Sequence, residues 1–315
     1  MVPGFSQGRE FFIDALIDHL FFIFRTLFEL KVYHPSWLES ITLVLHKIGK
    51  TSYDVAKSYH PIGLLNTMPK VLSTLNSKHT SYLAEKHKLL PASQFGGCPG
   101  RNTTDAMLLV VHKIKSTWWR GKVAAALFLD VQGAFPNTVK EQLIHNMRMR
   151  RVPTCFTDII TLSLTGRTMC LKFDDFIYDT IPLVNGTTQG DPDSMSHFGF
   201  YNALLIETAA SKDKLSPGFV DNSMMLMVGD SLGQCHRTLK DMMERPKGGF
   251  EWSPTHNSPF EISKIGLMNF PRSYQDVIPG ALSIYKPNLD SSVTTSLTYP
   301  VTSYKYLCII FDPKL

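Results

Sequence analysis

The 315-residue sequence lacks the features that mark a disulfide scaffold, a secreted protein or a membrane span. Its five cysteines are an odd number and include no Cys-x-x-Cys pair, so neither a disulfide framework nor a zinc knuckle is predicted. The apolar segment 11–30 is interrupted by Asp14, Asp18 and Arg25, which predicts an amphipathic helix packed on the protein instead of a membrane span. No signal peptide is recognisable, so we expect a protein that is not secreted, whether nuclear or cytoplasmic.

The composition shows no excess of charge and no low-complexity tract or internal repeat. With 43% hydrophobic and 19% charged residues, the chain is expected to fold around a sizeable core. The net charge of +5 and the pI near 8.8 are mildly basic. That balance is compatible with a polyanionic partner but does not require one.

The order of apolar and polar segments predicts an α+β fold. A helix is expected at about 9–30, a strand at 41–45, and a basic, turn-rich stretch at 47–60. Further helices are predicted at about 62–77, 79–87 and 102–119, and the last one ends in Trp118 and Trp119. These two tryptophans are interpreted either as core residues or as a stacking surface for a single-stranded nucleic acid.

Two acidic residues end apolar segments in the second half of the chain. Asp130 closes a continuous apolar run, 123–130, of the length of a buried strand. Asp221 and Asn222 form the polar tip of a predicted hairpin at 217–228. If these strands are antiparallel neighbours, both carboxylates face one cleft and could hold divalent cations for phosphoryl transfer. The alternative is a strand end and an ordinary hairpin turn.

Several short motifs in this sequence resemble those of one enzyme family. The segment 127–135 (LFLDVQGAF) resembles motif A of the reverse transcriptases of non-LTR (LINE-like) retrotransposons. The segment 185–192 (NGTTQGDP) looks like motif B, and 219–222 (FVDN) looks like motif C, which in the family ends in two aspartates. The segment 60–66 (HPIGLLN) resembles the fingers sequence Arg-Pro-Ile-x-Leu-Leu-Asn. This version of motif B is similar to elements common in fungal genomes.

The resemblance runs in the family's order from about Trp37 to Asp312. It implies an RNA-directed DNA polymerase (reverse transcriptase) domain with right-hand fingers and palm, in which helices back a small antiparallel sheet. We expect an N-terminal amphipathic helix at 1–35 and the reverse transcriptase domain at 36–315. Within that domain the fingers would span about 36–120 and the palm about 121–315, with the thumb largely absent.

The resemblance also implies ligands and partners. Asp130 and Asp221 would hold two Mg²⁺ ions, with Mn²⁺ as the substitute. Lys264, at the position of the motif D lysine, would neutralise the departing pyrophosphate or donate a proton to it. An RNA template, a DNA primer and deoxynucleoside triphosphates would be the substrates. Other element-encoded domains or proteins are expected partners, and a membrane is not.

The remaining site residues would contact the nucleotide or the template. Phe135 would lie under the incoming sugar and exclude a 2′-hydroxyl group. Gln189 and Gly190 would line the pocket of the nascent base pair, where glycine allows close backbone approach. Lys50, in the basic stretch, and His60, at the fingers arginine position, would meet the triphosphate or the template backbone.

The sequence departs from the family pattern at functional positions. Asn222 replaces the second motif C aspartate, so the site would lose one negative charge and the activity would be impaired. Asp193 stands where motif B prefers an apolar residue, and it could instead act as an acidic first-turn residue of the following helix. Cys308 occupies a turn that is commonly glycine. The alternative function is a catalytically silent remnant that still binds nucleic acid.

Overall fold

The computed structural model describes residues 4–49, 51–188, 190–209, 211–273, 275–287 and 293–315. Its α-helices are α1 Gly4–Leu30, α2 Thr67–His87, α3 Thr103–Trp119, α4 Ala134–Asn137, α5 Lys140–Met149, α6 Thr154–Ser163, α7 Ser194–Glu207, α8 Leu232–Glu244 and α9 Gly249–Thr255. Its strands are β1 Glu39–His46, β2 Tyr59–Leu65, β3 Val123–Asp130, β4 Arg167–Phe173, β5 Phe176–Ile177, β6 Ile181–Leu183, β7 Lys214–Leu215, β8 Gly218–Phe219, β9 Asn222–Gly229, β10 Gly266–Phe270, β11 Leu282–Pro287, β12 Val293–Thr298, β13 Tyr304–Tyr306 and β14 Ile309–Phe311. The predicted α+β class is confirmed.

The sheet that carries both predicted acids is antiparallel, with the strand order β10-β3-β9-β7 and β8 paired to β9. β3 lies inside this sheet, and both of its faces are covered. Ala125 and Leu127 belong to a core formed with α5, α7 and α8, whereas Ala124 and Ala126 pack on the side of α3. Because both faces are buried, the strand reads as one apolar run and not as an alternating pattern. Burial decreases at its last residue, Asp130.

A second sheet, in the order β2-β1-β4-β5 with β6 on β4, corrects the prediction of a helix at 62–77. Residues 62–65 belong to β2, which is the edge strand paired with β1. An edge position tolerates Pro61, which has no backbone N–H to donate. The helix begins at Thr67 and continues to His87, so the predicted break near residue 78 is also wrong.

Some elements late in the chain were not predicted. α9 lies in a segment that reads as a loop because it contains Pro254 and follows Gly248. The hairpin of β11 and β12 was missed as well. The strands β13 and β14 form a hairpin, whose turn residues Leu307 and Cys308 have φ angles of 48° and 67°. Those left-handed conformations are not visible in the residue pattern.

The predicted N-terminal amphipathic helix corresponds to α1. Phe24 and Leu27, in its C-terminal half, are buried in a small cluster with Leu72 of α2 and Ile159 of α6. This packing places α1 against α2 and α6. None of the described helices combines the length and the apolar character of a membrane span.

Candidate active site

The pairing of β3 with β9 brings the two predicted acids together. Asp130, the last residue of β3, is the Cα partner of Asn222, the first residue of β9. Asp221 precedes Asn222 in the tight turn between β8 and β9. The backbone N–H of Val131 donates to the carbonyl oxygen of Asp221 over 2.9 Å, which fixes the turn against the end of β3. The strands are thus antiparallel neighbours, and both aspartates lie at one end of the pair.

Both carboxylates receive a hydrogen bond from a nitrogen of this chain. Lys264 Nζ lies 2.7 Å from Asp130 Oδ2, and the side chains are 61% and 15% exposed. Asn222 Nδ2 donates to Asp221 Oδ1 over 2.8 Å. Asn222 therefore presents an amide donor to its neighbour where a carboxylate would bring charge. Within the described part of the chain, no group of three or more histidine, cysteine or carboxylate side chains is placed to hold a metal ion.

The charges of this site are perturbed by burial and by one another. Burial raises the pKa of the Asp221 carboxyl above its ordinary value, and the neighbouring Asp130 charge raises it further. The hydrogen bond to Asp130 raises the pKa of the Lys264 ammonium, which is therefore fully charged at neutral pH. A cation near both aspartates would oppose the like-charge repulsion that Asp221 experiences.

The aspartates open into a cavity of about 860 Å³. Its walls include most of the predicted site residues: Asp130, Phe135, Gly190, Asp221, Asn222 and Lys264. Tyr304, Lys305 and Cys308 of the β13–β14 hairpin line the same cavity. Residues from five separate segments of the chain therefore converge on one concave site.

Two walls of the cavity are fixed by backbone contacts of motif B. The carbonyl oxygen of Phe135 accepts a hydrogen bond from the N–H of Thr187 over 2.8 Å, so motif A and motif B are tied together. Gly190 has a φ of 109°, and a Cβ added there would lie 3.0 Å from the carbonyl oxygen of Gly63 in β2. Both the backbone angle and the close approach favour glycine. The second sheet thereby reaches the edge of the cavity.

The other predicted contact residues are placed less directly. Lys50 and Gln189 lie outside the described residues. His60 is exposed on β2, paired in register with Leu45 of β1, and the described cavity walls do not include it. The prediction for His60 therefore gains no support from the cavity geometry.

The tryptophan pair lies far from the acids. Trp118 Nε1 donates to the carbonyl oxygen of Phe270 over 3.2 Å, and Trp119 is 84% exposed. Both residues stand beside the start of β3, and seven residues of strand separate its start from Asp130, about 23 Å at 3.3 Å per residue. The pair therefore stands at the end of the sheet opposite the acids, and its interpretation as a stacking surface for a single-stranded nucleic acid stays a prediction.

The residue that holds the motif B loop in place, Arg167, was not predicted from the sequence. Arg167 of β4 is 6% exposed and donates to the carbonyl oxygens of Asn185 and Gly186 and to the hydroxyl of Thr188. Nothing in the local sequence signals this role, because the contacts join segments about twenty residues apart through a separate sheet. A buried guanidinium that binds carbonyl oxygens fixes the course of the motif B loop.

Asp193 is buried and does not cap α7. It occupies the N-cap position without a side-chain capping bond and is 4% exposed. Its Oδ2 accepts a hydrogen bond from Asn76 Nδ2 of α2 over 2.8 Å, and His197 Nε2 lies 3.7 Å away. Burial raises the pKa of Asp193 to about 8 and lowers that of His197 to about 4. The expectation that Asp193 acts as an acidic first-turn residue of α7 is wrong, because it stands at the N-cap position and its hydrogen-bond partner is Asn76 of α2.

Comparisons with known proteins found relatives that align with most of the chain. No protein-family model matches the chain. It is 22% identical over 307 residues to an RNA-directed DNA polymerase from the mobile element jockey of Drosophila melanogaster. The alignment covers 96% of this chain and 32% of that protein. The chain is 26% identical over 174 residues to a probable RNA-directed DNA polymerase from the transposon X-element of the same organism, covering 55% of this chain and 19% of that protein. The chain thus spans a third or less of the length of these relatives.

Solved structures show the same fold. A telomerase from Candida tropicalis, in complex with a TWJ fragment of telomeric RNA, aligns with a TM-score of 0.55 and 11% identity, covering 82% of this chain and 44% of that one. An apo telomerase from the same organism, truncated from its C-terminal domain, aligns with a TM-score of 0.52 and 10% identity, covering 84% of this chain and 56% of that one. The likeness to fungal elements stays a prediction, since the mobile-element relatives above are from Drosophila. The chain is thus similar in sequence to RNA-directed DNA polymerases of mobile elements and transposons, and its fold matches that of the two telomerases.

Proposed function

We propose that this chain is the fingers and palm of a retrotransposon reverse transcriptase, with an RNA template, a DNA primer and deoxynucleoside triphosphates as substrates. The observation that carries the proposal is the position of Asp130, at the end of β3, beside the turn that carries Asp221, in a cavity that Lys264, Phe135 and Gly190 also line. The domain boundaries at 35 and 120 belong to the same proposal. Further element-encoded domains are expected partners, because the relatives are about three times longer.

The donor set fits a hard divalent cation. Asp130 and Asp221 offer carboxylate oxygens, which Mg²⁺ prefers, and the hydrogen bonds from Lys264 and Asn222 engage one oxygen of each. The raised pKa of Asp221 reflects a burial and like-charge cost that a cation would relieve. Two Mg²⁺ ions, or Mn²⁺ in their place, would offset negative charge on the attacking 3′-oxygen and on the departing pyrophosphate.

The residues of this chain would bind and orient the nucleotide around that centre. Lys264 Nζ carries a positive charge that can bind phosphate oxygens and give a proton to the departing pyrophosphate. Phe135 lines the cavity and its backbone is tied to motif B, which supports a role for its ring in excluding a 2′-hydroxyl group. Gly190 would allow the backbone of motif B to approach the nascent base pair.

Asn222 favours a second candidate function, which is nucleic-acid binding without turnover. Its amide is a donor to Asp221, and it brings no charge to the cavity. Together with the Lys264 ammonium on Asp130, this leaves one net negative charge among Asp130, Asp221, Asn222 and Lys264. Such a site attracts divalent cations less strongly than one with a third carboxylate.

One experiment separates the two functions. The purified protein is tested for Mg²⁺-dependent primer extension on an RNA template, beside Asp221→Ala and Asn222→Asp, and each variant is tested for template–primer binding. Activity in wild type that Asp221→Ala abolishes supports the polymerase, with binding unchanged. Binding without extension in wild type, and extension by Asn222→Asp, would identify a remnant silenced at one position. Activity that survives Asp221→Ala overturns the site assignment.

A further inference from the structure

The turn that carries Asp221 has a strained backbone. Because Phe219 pairs with Asn222, the turn consists of Val220 and Asp221 alone. Val220 has a φ of 54°, a left-handed conformation that residues branched at Cβ rarely adopt. Two-residue hairpin turns with a positive φ at the first position favour glycine there. The surrounding structure must therefore hold Val220 in place.

Contacts from two sides brace this turn without engaging the Val220 carbonyl. On one side, Val131 donates its N–H to the carbonyl oxygen of Asp221. On the other side, the backbone of Gly96 lies so close that a Cβ added there would be 2.6 Å from the nitrogen of Val220. These contacts fix the ends of the turn. Neither contact fixes the orientation of the peptide between Val220 and Asp221, so a further contact is needed.

That contact comes from the motif B helix. Asn202 of α7 is completely buried, and its Nδ2 donates to the carbonyl oxygen of Val220 over 3.2 Å. Its own Oδ1 is buried without a hydrogen-bond partner among the described residues. An unsatisfied buried oxygen destabilises the fold relative to an apolar side chain of similar size. The hydrogen bond from its nitrogen to the Val220 carbonyl oxygen therefore explains why an amide stands at this position.

We propose that Asn202 is a positioning residue for the catalytic turn: its hydrogen bond orients the Val220–Asp221 peptide, keeps Val220 left-handed and directs the Asp221 carboxylate toward Asp130. The role of Asp221 in this inference rests on the proposed function. The coupling between Asn202 and Val220 is a property of the fold and can be measured without any activity.

The test compares Asn202→Leu with a matched control, Asn146→Leu. Asn146 of α5 is also buried, and its Nδ2 donates to the carbonyl oxygen of Tyr201 over the same 3.2 Å, but it does not contact the turn. Mn²⁺ affinity is measured by calorimetry, and kcat and KM by single-nucleotide addition. Losing one buried hydrogen bond at the turn should weaken Mn²⁺ binding and lower kcat about tenfold in Asn202→Leu, with KM for the nucleotide little changed. Asn146→Leu should lower stability alone.

Rescue by glycine distinguishes positioning from general destabilisation. Since glycine adopts a positive φ without strain, Val220→Gly should reduce the effect of Asn202→Leu on Mn²⁺ affinity and kcat from about tenfold to about threefold or less. Equal effects of Asn202→Leu and Asn146→Leu, or no rescue, overturn the inference.

A failure of the proposed function leaves the inference testable. If wild type neither binds Mn²⁺ nor extends a primer, the unfolding equilibria of the Asn202→Leu and Val220→Gly single and double variants decide it. Coupling of about fivefold or more in the unfolding constant supports the contact as the holder of the turn. Additive effects overturn it.

Discussion

Replacing Asn222 by aspartate changes the charge of the candidate site with little change in shape. The substitution removes the donor that lies 2.8 Å from Asp221 Oδ1 and places a third carboxylate beside it, opposite Asp130 in the strand pair. Without a divalent cation, two like charges 4 Å apart repel by about 4 kcal/mol at an effective dielectric of 20. Protonation relieves part of this repulsion, so we expect a loss of about 1–2 kcal/mol in the free energy of unfolding.

A divalent cation reverses the sign of this effect. The added charge attracts a doubly charged ion at 4 Å by roughly 8 kcal/mol under the same conditions. If about a quarter of this attraction remains after the loss of ion hydration, Mg²⁺ binding tightens by about 2 kcal/mol, or roughly thirtyfold. A contribution of the same size that is felt only in the transition state would raise kcat by about thirtyfold.

The assay measures thermal unfolding in EDTA and in Mg²⁺, followed by primer extension on an RNA template. Asn222→Asp should unfold at a lower temperature than wild type in EDTA and gain more from Mg²⁺. Asn257→Asp is the control, because it adds the same charge at an exposed turn outside the cavity. If Asn222→Asp responds to Mg²⁺ no more than Asn257→Asp does, and an active wild type gains no rate, the reasoning about charge at this position is wrong.

Three further predictions concern other parts of the molecule. The raised pKa of Asp193, about 8, means that its contribution to stability is present at low pH and is lost as pH rises through about 8. Below about pH 6.5 the lowered pKa of His197 opposes this trend. Between about pH 6.5 and 8, the free energy of unfolding of the wild type, measured by urea titration, should therefore fall by up to about 1.4 kcal/mol per pH unit. Asp193→Asn should flatten this slope. Cys308→Gly should raise the free energy of unfolding by about 1 kcal/mol, because glycine adopts the φ of 67° at this position without strain. Cys155→Ser, at another exposed cysteine, should leave the free energy of unfolding unchanged. An equal change in the two variants would refute the backbone strain at Cys308. Phe135→Ala should increase the incorporation of ribonucleotides relative to deoxynucleotides by about tenfold or more, a gain of about 1.4 kcal/mol, and unchanged discrimination would remove the ring from that role.

Parts of the fold and site follow from local sequence because their signals are contiguous. The run from Val123 to Leu129 specifies a strand buried on both faces, and it places Asp130 at the point where burial ends. The hairpin around Asp221 follows from two short apolar runs with a polar tip. Motif order then linked the two acids, and the register of β3 against β9 agrees with that expectation.

Other features depended on tertiary contacts that no local pattern encodes. Whether 62–65 forms helix or strand is undecided by its residues, and pairing with β1 makes it a strand. Asp193 finds Asn76 at a separation of 117 residues, which changes it from an apparent defect at a helix start into a hydrogen-bonded buried acid. Likewise Trp119 is exposed because it stands beside the start of β3, at one end of the sheet.

The sequence by itself determined the family likeness, the α+β class and the positions of the two aspartates, because each depends on residues adjacent in the chain. The tertiary structure alone decided which remote side chains reach Asp130 and the turn that carries Asp221. Lys264 reaches Asp130 across 134 residues of sequence, and Asn202 reaches the carbonyl oxygen of Val220 from another helix. Side-chain hydrogen bonds form within about 3 Å, and distances of that size between remote segments are set by packing and not by composition.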